Sequence, residues 1–527
     1  MRIRAPAAAA LTGLGLGALA LGPGLRPGYL LAYDMVFVPA PRFSATMFGL
    51  TGTLPRAVPS DAVVTALGQV LPADLVQKSV LLAIFVLACS GAARLLAGEP
   101  WPARIAAGVF YTWNPYVAER LLIGQWALLL GYAGLPWVLA AASRSVAADS
   151  WWRWAGRLGL ALLPAAVGGF AAMGISALVA LPAAALRRGG WRHRVTGAAA
   201  ALGVLILLSL PWLLPSLSRT VRASTAGVAP FAARADTPFG SVGSVLLLGG
   251  EWNAQTVPAG YGGAVTGFWL CLVVVALAGF LLLGRGRWPG AGPAAAAGLL
   301  LALLGVSGPG QHLLRVLIGA WGGFAVLRDG QQFVAPLALV EAAGFALAVS
   351  WVLRAPRPAA VLREGTAVAA AALVVAPLAF LPGLAWGAAD RLRPVPYPAS
   401  WLAVRRLVNA DPAAGSVLLL PWAAYRRPGW NHGEAVLDPW PRLLTRTVIW
   451  NDGVEVGTVT LPPEDPTATA LTAWVSSGRP LTARLAAFGV RYVIDDDGAD
   501  SPQSDARLLP GCTVAYSAPG LVLYRVP

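Results

Sequence analysis

Long apolar segments recur along the chain between residues 7 and 388, separated by short polar turns. A helix needs about 20 mostly apolar residues to span a bilayer. We predict about eleven spans, at roughly 7–24, 79–97, 104–118, 126–142, 158–173, 175–187, 197–216, 265–284, 291–307, 333–353 and 366–388. Charged residues make up only 12% of the chain, about half the fraction usual in soluble domains. The chain is therefore predicted to be a polytopic α-helical membrane protein.

Arginine is concentrated in one set of the turns between these segments. When the predicted spans are threaded through a bilayer, sixteen arginines fall on one side: Arg2, Arg4, Arg94, Arg104, Arg144, Arg153, Arg157, Arg187, Arg188, Arg192, Arg194, Arg285, Arg287, Arg354, Arg357 and Arg363. Cytoplasmic loops carry the excess of positive charge in membrane proteins. We therefore place the N-terminus in the cytoplasm, and the connections 25–78 and 217–264 outside the plasma membrane.

The first apolar segment has a second interpretation. Arg2, Arg4 and the run 7–22 also match a cleavable signal peptide. The stretch that follows is itself apolar and aromatic, which favours a retained helix. Both interpretations put the residues after 25 on the same side of the membrane.

The tail after residue 388 is more polar and is predicted to be an extracytoplasmic α/β domain. Runs rich in β-branched or aromatic residues predict strands, at Ser416–Trp422, Val448–Trp450, Val490–Ile494 and Leu521–Val526. Helices are predicted at Ala399–Val408 and Ala468–Trp474. Alternating strands and helices are typical of a layered α/β domain. The chain is thus divided into a transmembrane domain, 1–388, and an outer domain, 389–527.

The net charge of +15 does not indicate a nucleic-acid partner. A basic chain normally raises that possibility, but here the arginines lie in loops between apolar segments. The predicted surface partner is the lipid bilayer. Lys78 is the only lysine, and this bias is typical of a high-GC genome, such as that of an actinobacterium. Three cysteines and three histidines are too scattered to predict a disulfide framework or a zinc site.

Asp34 is the first acidic residue of the chain and lies early in the first outer loop. Its neighbours are apolar or aromatic, so its charged form is disfavoured unless a cation pairs with it. The functional interpretation is a catalytic base or a metal ligand at the outer membrane face. The structural alternative is a helix cap, or an ion-pair partner for Arg26 or Arg42.

Glu119 and Arg120 follow an Asn114-Pro115 break between two apolar runs. The residue before a proline avoids the helical region, so the helix that begins near Arg104 is expected to end there. The charged pair then faces the outer interface, and Gln125 precedes the returning span. Arginine's planar guanidinium suits a phosphate group. The pair is predicted to hold a lipid-phosphate head group, or else to anchor an interfacial aromatic belt.

Three other groups are candidates at or near the same outer level. Arg328 and Asp329 stand just before the tenth predicted span, and Glu341 lies inside it. An acid within the membrane faces a cavity or a partner, so Glu341 would suit a proton-coupled transporter. The loop 217–264 offers a polar rim between glycine-rich ends that would allow movement: Arg219, Arg222, Arg234, Asp236, Glu251 and Trp252. The alternatives are a disordered surface loop here, a solvated charged turn at Arg328 and Asp329, and a protonated acid within the helical bundle at Glu341.

The tail contains a cluster of aromatic, amide and charged residues suited to sugar faces and hydroxyl groups. Its members with a predicted sugar-binding role are Trp422, Tyr425, Trp430 and Asn431. The alternative is a long structured loop packed on the domain. The acidic turn 495–498 is more typical of a strand-ending turn than of a cation site, because the EF-hand spacing is missing.

Three segments together resemble the membrane region of GT-C superfamily glycosyltransferases. They are the stretch around Asp34, the motif Asn114–Leu135 and the turn Arg328–Phe333. The similarity is greatest to the mycobacterial α-(1→3)-arabinofuranosyltransferase type and its actinobacterial relatives. The tail segment from Val417 to Gly457 is weakly similar to the outer domains attached to such proteins.

The resemblance implies transfer of a sugar from a polyprenyl-phosphate donor to a cell-envelope glycan at the outer face. It implies Asp34 as base or metal ligand, and Arg120 and Arg328 as donor-phosphate ligands, supported by Glu119, Asn114, Asp329 and Gln125. A divalent cation is a possible cofactor, but Asp34 is a lone acid where the family has a pair. The alternatives are a non-catalytic envelope scaffold or lipid-linked-glycan carrier, and a secondary transporter.

Overall fold

The computed structural model describes residues 4–51, 55, 57–144, 150–217, 223–354, 361–496 and 507–527. Arg219 and Arg222 of the predicted outer rim lie outside these residues, as do 497 and 498 of the acidic turn.

The first three quarters of the chain are helical. The helices are α1 (Arg4–Leu21), α2 (Ser60–Leu67), α3 (Ala73–Leu95), α4 (Trp101–Thr112), α5 (Pro115–Leu122), α6 (Trp126–Ala142), α7 (Trp151–Gly168), α8 (Phe170–Ala185), α9 (Trp191–Leu217), α10 (Gly240–Leu246), α11 (Val265–Gly279), α12 (Ala291–Leu304), α13 (Gly308–Ala320), α14 (Ala335–Arg354), α15 (Val361–Phe380) and α16 (Ala385–Asp390). A short strand, β1 (Tyr29–Leu30), precedes Asp34.

The tail alternates strands and helices. Its elements are β2 (Pro394–Val395), α17 (Ala399–Ala410), β3 (Ser416–Leu420), β4 (Tyr425–Arg426), β5 (Val436–Leu437), α18 (Trp440–Leu443), β6 (Val448–Ile449), β7 (Val454–Val456), β8 (Val459–Leu461), α19 (Pro466–Ser476), α20 (Thr482–Ala487), β9 (Val490–Asp495), β10 (Thr513–Ala518) and β11 (Leu521–Arg525). Each predicted strand and helix of the tail coincides with an observed one to within two residues at either end.

Several helices are able to cross a membrane. Within the described residues, five are long and apolar enough: Ala7–Leu25, Ala73–Leu95, Trp191–Leu217, Val265–Gly284 and Gly330–Arg354. The pair α12 and α13 gives a sixth if counted as one span, although it bends by 93°. Helices α6 and α8 and the segment Val368–Phe380 are apolar but shorter. A multi-pass helical protein is thus supported, and the count of eleven spans remains a prediction.

The break at Asn114-Pro115 is present as predicted. Helix α4 ends at Thr112, and Asn114 becomes the N-cap of α5, where its Oδ1 accepts from the Val117 backbone N–H at 3.0 Å. Proline at the first helical position needs no N–H partner, so Pro115 starts α5 without loss. This cap turns the chain and places Glu119 and Arg120 on a separate short helix.

Helix α14 is the centre of the membrane half, because 94% of its apolar window is buried. Close approach to its neighbour depends on glycine. A methyl group at Gly344 would overlap the Ala276 carbonyl oxygen of α11, and one at Gly279 would overlap the Gly344 carbonyl oxygen. Small residues let helix backbones come together where lipid gives no hydrophobic drive. The two helices therefore pack backbone to backbone.

The tail is a three-layer α/β structure around a five-stranded sheet of order β10-β11-β9-β3-β6. Strand β3 pairs in parallel with β6 and β9, while β9, β11 and β10 pair antiparallel. Because side chains alternate along a strand, Val417 and Leu419 face α17 and the first outer loop. Leu418 and Leu420 face α19 and α20 on the other side.

Arginine-bearing turns meet at one end of the helical bundle. Glu99, between α3 and α4, pairs with Arg287 and lies 3.0 Å from the Arg354 guanidinium. Arg188 donates to the Gly286 carbonyl at 3.3 Å. The first outer loop, the loop before α11 and the tail meet at the opposite end. The membrane half therefore has a basic end and an end that carries the residues described next.

Candidate active site

Asp34 lies in a tight turn held against the end of α5. Its backbone N–H donates to the Ile123 carbonyl at 3.1 Å. Gly124 has φ of +81°, and a methyl group there would overlap the Met35 nitrogen and the Ala32 carbonyl oxygen. Only glycine combines this left-handed backbone with such a close approach. The motif predicted around Arg120 thus also fixes the position of Asp34.

The tail contacts the same turn from the other side. The Tyr33 N–H donates to the Ala435 carbonyl at 2.7 Å, and the Leu437 N–H donates to the Tyr33 carbonyl at 2.9 Å. The Tyr425 hydroxyl donates to Asp34 Oδ1 at 2.6 Å. Asp34 therefore lies at the junction of the membrane half and the tail.

Arg120 is fully buried and surrounded by acceptors. Its Nη1 and Nη2 donate to the two Asp329 carboxylate oxygens at 2.6 and 2.9 Å. Nη2 also lies 2.7 Å from Glu251 Oε2, Nη1 donates to Gln125 at 2.5 Å, and Nε donates to Gln331 at 2.9 Å. Each guanidinium nitrogen is thus occupied by groups of the protein itself.

Asp329 and Glu251 pair with this arginine, and Gln125 links Asp34 to it, so we call these three acids the acidic cluster. Burial raises the pKa of Asp34; the hydrogen bonds from Tyr425 and Gln125 oppose this rise, and the Asp329 charge adds to it. Burial also raises the pKa of Glu251, and the charges of Asp329 and Asp34 add to that rise. Gln125 contacts both Asp34 and Arg120, so it links the predicted base to the predicted arginine.

Arg328 is directed to a different set of partners. Its Nη1 donates to the Ser224 carbonyl at 3.0 Å, and its guanidinium carbon lies 5.4 Å from the centre of the Phe231 ring. Its Nη2 is 4.0 Å from Glu464 in the tail. None of these three partners belongs to the acidic cluster. Of the three charged residues predicted to meet, the structure brings together Asp34 and Arg120.

The remaining supporting residues divide into a cap and a carboxyl pair. Asn114 is buried and caps α5, as described above. Glu119 is buried, accepts a hydrogen bond from Gln331 at 3.2 Å, and lies within hydrogen-bonding reach of the Asp236 carboxyl group. Gln331 therefore joins Glu119 to Arg120, and Asn114 holds the helix that carries both residues.

The four tail residues with a predicted sugar-binding role are not brought together. Trp422 donates its indole N–H to Thr472 at 3.1 Å, and the Trp430 ring packs within the tail core. Asn431 is buried and donates to the Leu31 carbonyl at 3.1 Å. Of the four, the tyrosine alone contacts Asp34. For the other three, sugar binding stays a prediction that their positions do not support.

Four residues near Asp34 or Arg120 have no individual role predicted from the sequence: Tyr33, Gln255, Gln331 and Arg427. The Tyr33 hydroxyl donates to Gln255, and Arg427 donates to the same amide oxygen at 2.7 Å. Arg427 is exposed. Gln331, which contacts Arg120, lies two residues after Asp329 and was passed over as part of a polar turn. From the sequence, these residues are distinguished only by being polar residues in loops. Loop residues that are far apart in the sequence show no periodicity that would connect them.

The acidic cluster is not arranged as a metal centre. Within the described parts of the chain, no group of three or more His, Cys, Asp or Glu side chains is arranged to hold a metal ion. The carboxylates instead surround a guanidinium, which supplies the positive charge, and Asp34 Oδ1 is taken up by Tyr425. The residues present therefore do not fit the divalent cation that the sequence left open.

Glu341, the candidate for proton-coupled transport, is fully buried in α14. Neither of its carboxyl oxygens has a hydrogen-bond partner in the described structure. Within the residues that the structure describes, no hydrogen bond or ion pair joins it to the acidic cluster. Its role in proton-coupled transport stays a prediction.

Comparison with solved structures identifies the fold. The mycobacterial arabinofuranosyltransferase AftD, determined by cryo-EM, aligns with a TM-score of 0.61 at 20% sequence identity, over 99% of this chain. The chain has the GT-C fold. This confirms the resemblance predicted from the sequence. ArnT from Cupriavidus metallidurans aligns with 96% of this GT-C chain and 95% of its own, with a TM-score of 0.45 and 15% identity.

The match to AftD is one-sided in length, since this GT-C chain spans 40% of the AftD chain. No protein-family model and no curated protein matches the chain. At this level of identity the likeness establishes the fold.

Proposed function

We propose that the protein is a membrane glycosyltransferase that moves a sugar from a polyprenyl-phosphate donor to a cell-envelope glycan. The observation that carries this proposal is the placement of Asp34. In this GT-C fold, Asp34 lies beside the buried arginine and carboxylates. Gly124 packs against its turn on one side, and Tyr425 donates a hydrogen bond to it on the other. One solved structure with this fold, AftD, is an arabinofuranosyltransferase, so arabinofuranose is our first candidate for the sugar.

Asp34 is proposed as the general base. The acceptor hydroxyl gives its proton to the Asp34 carboxylate while its oxygen bonds to the anomeric carbon of the sugar. The bond from that carbon to the phosphate oxygen breaks, and its electron pair leaves with the phosphate. Base assistance of this kind contributes about 10²–10⁴-fold, and is best when the pKa is close to the working pH. The raised pKa of Asp34 is in the favourable direction.

Arg120 is proposed to act through its neighbours. Its nitrogens already hold Asp329, Glu251 and Gln125, and Gln125 in turn contacts Asp34. A phosphate would have to displace a buried carboxylate to reach it. We therefore propose that Arg120 is a positioning residue rather than a direct ligand of the donor phosphate.

The exposed Arg427 is proposed as the phosphate contact instead. It stands beside Gln255 and Tyr33, next to the Asp34 turn. Its Nη2 donates to Gln255 at 2.7 Å and its Nη1 to the Gly433 carbonyl at 3.2 Å, and both bonds are exposed, so a phosphate would have to replace surface acceptors rather than a buried carboxylate. A guanidinium suits the phosphate that leaves with negative charge. Arg328, with partners in the loop before α11 and in the tail, is proposed to hold those two segments together.

The basic end of the bundle is proposed to face the cytoplasm, which puts Asp34 and the tail outside the plasma membrane. The excess of arginine in the turns at that end is the support for this orientation. Donor and acceptor would then meet at the outer membrane surface, where lipid-linked sugars are within reach.

A deletion strain tests the proposal in cells. Loss of a transferase should make one polyprenyl-phosphate sugar accumulate while one envelope glycan shortens, as measured by mass spectrometry of lipid and glycan extracts. The wild-type gene should reverse both changes, and a gene carrying Asp34→Asn should reverse neither. Asp390→Asn is the matched control, because that acid is exposed and pairs only locally with Arg393 in the described structure.

A non-catalytic scaffold or carrier is the second candidate. The observation that favours it is the saturated guanidinium of Arg120, which leaves the expected phosphate ligand occupied. In that case the gene carrying Asp34→Asn would restore the glycan to the same extent as the wild-type gene. This result would end the enzymatic proposal.

A further inference from the structure

The first outer loop exposes an unusual number of large apolar side chains. They form a patch, here called the outer lip, that consists of Phe43, Phe48, Leu50, Leu67, Val70 and Leu71, with exposed fractions between 43% and 84%. Phe43 and Phe48 stack on each other, with ring centres 5.8 Å apart. Exposed apolar patches of this kind mark contact with a membrane or another protein.

The outer lip is an ordered unit rather than a loose loop. The Thr65 hydroxyl of α2 donates to the Met47 sulfur at 3.3 Å, so the Phe43–Leu50 segment is fixed on α2. The Gln69 side chain donates to the Pro41 carbonyl at 2.6 Å. The first of these contacts is buried and the second is partly buried. The apolar side chains are therefore presented by a folded surface.

This unit continues the lipid-facing surface of the spans. A methyl group at Gly49 would lie 3.0 Å from Pro215 near the end of α9, so the lip touches that helix at its outer end. In the last turn of α9, Leu214 and Leu217 are 60% and 66% exposed. The exposed apolar residues at the end of α9 therefore adjoin the lip.

Arginines border the patch. Arg42 precedes Phe43 and is exposed, and Arg406 of α17 is exposed as well. Arg405 lies between them and donates to the Pro39 carbonyl. Burial, followed by the neighbouring charges of Arg42 and Arg406, lowers the pKa of Arg405, so the three arginines lie close enough for their charges to interact. Such a group is complementary to a negatively charged surface.

We propose that the outer lip inserts into the outer leaflet of the bilayer, with its apolar side chains among the acyl chains and Arg42 and Arg406 at the lipid phosphates. Basic groups flanking an apolar face are typical of surfaces that lie in the membrane interface. Because Asp34 belongs to the same outer loop, the lip would also fix the depth of the candidate active site relative to the lipid head groups.

The depth of single labels in a lipid bilayer tests this proposal. The full chain, with Cys271 and Cys512 replaced by serine, is placed in nanodiscs that contain phosphatidylglycerol. Val70→Cys is the first variant, because Val70 is 84% exposed and its replacement removes little packing. Phe48→Cys is the second. Each carries an environment-sensitive fluorophore, and some of the lipids carry a nitroxide on the acyl chain.

The label at both lip positions should be blue-shifted and quenched at least threefold by the lipid-borne nitroxide. Val514→Cys is the matched control: it is 59% exposed, and it lies on β10, at the sheet edge opposite β6. Its label should be quenched by water-soluble iodide instead. Equal quenching by nitroxide at all three positions would overturn the proposal. The proposal would also be overturned if the lip labels were protected from both quenchers and this protection increased with protein concentration. That result would assign the patch to contact with a second copy of the chain.

Discussion

At the scale of single residues, the candidate site combines Asp34, which could be predicted from the sequence, with Tyr425, whose contact with it could not. Asp34 stood out because an acid amid apolar residues at an outer loop is uncommon. Its hydroxyl partner, Tyr425, lies 391 residues further along the chain, and no local sequence pattern connects the two. What the sequence did not contain was the pairing between a loop and the tail.

Tyr425→Phe should change the pH dependence of transfer. The phenol donates to Asp34 and favours its charged form, so its loss should raise the pKa of Asp34 further. A hydrogen bond to a charged group contributes roughly 1.5–3 kcal/mol, so the loss of this bond should displace the acidic limb of the pH–rate profile measurably. Because the base works when deprotonated, the rate should fall at low pH and recover at high pH, as read from a pH–rate profile.

The control for this experiment is Tyr516→Phe, a tyrosine on β10 that packs against the tail core. Its profile should match the wild type. A Tyr425→Phe enzyme that is slower by the same factor at every pH would mean that the phenol only supports the structure.

Arg120 should contribute more to stability than a surface arginine. Arg120→Met leaves Asp329 and Glu251 beside each other without their cation. Breaking a buried ion pair from one side costs about 3–5 kcal/mol. We expect a clear drop in the thermal unfolding midpoint in detergent, partly reversed when Glu251→Gln is added. Arg427→Gln, at an exposed position, should leave the midpoint unchanged, and an equal drop in that variant would contradict this role for Arg120.

At the scale of elements, breaks and strands were predictable, and short amphipathic pieces were not. The α4–α5 break was expected because Asn114-Pro115 combines a cap with a pre-proline restriction. Helix α13 was missed, although Ser307 caps it by accepting from the Gly310 N–H at 3.2 Å. Its apolar residues are too few for the hydropathy pattern to separate it from the neighbouring spans. The angle of 93° between α12 and α13 depends on how the two helices pack, which the local sequence does not specify.

Gly124→Ala should disable the site without unfolding the protein. The added methyl group meets the Met35 nitrogen and the Ala32 carbonyl, and φ of +81° is itself unfavourable for alanine. The Asp34 turn must then move away from α5. A misplacement of about 1 Å costs on the order of 10²-fold in rate, so transfer should fall by about that factor.

Gly156→Ala is the matched control, since it lies in α7 with open space where the methyl group would go. Alanine in place of a helical glycine stabilises by about 1 kcal/mol, and transfer should be unchanged. Equal activity of the two variants would mean that the position of Asp34 does not depend on Gly124.

At the scale of the whole molecule, the tail and the membrane half share one site. Beside the Tyr425 contact, the Tyr397 hydroxyl donates to the Phe37 carbonyl at 2.9 Å, and Arg442 pairs with Asp61 at 2.8 Å. The sequence allowed both halves to be outlined, because hydropathy separates them. Their docking was not predictable, since it depends on side chains matched across distant segments.

The pair Asp61–Arg442 should couple the two halves. Each single change, Asp61→Asn or Arg442→Gln, should make the tail more sensitive to limited proteolysis. The double variant should lose little more than either single one, because both remove the same interaction. A coupling of about 1 kcal/mol is expected for a pair that is mostly buried. Strictly additive effects would show that the pair does not hold the tail in place.

The most direct test of the central claim is transfer by the purified protein in lipid vesicles. Polyprenyl-phosphoryl-arabinofuranose, radiolabelled in the sugar, is supplied with an arabinan acceptor, and label leaving the lipid for the glycan is measured. We predict transfer by the wild type and by Asp390→Asn, and a loss of at least a hundredfold in Asp34→Asn, with all three proteins equally folded. Transfer by Asp34→Asn at the wild-type rate would contradict the assignment of Asp34 as the base.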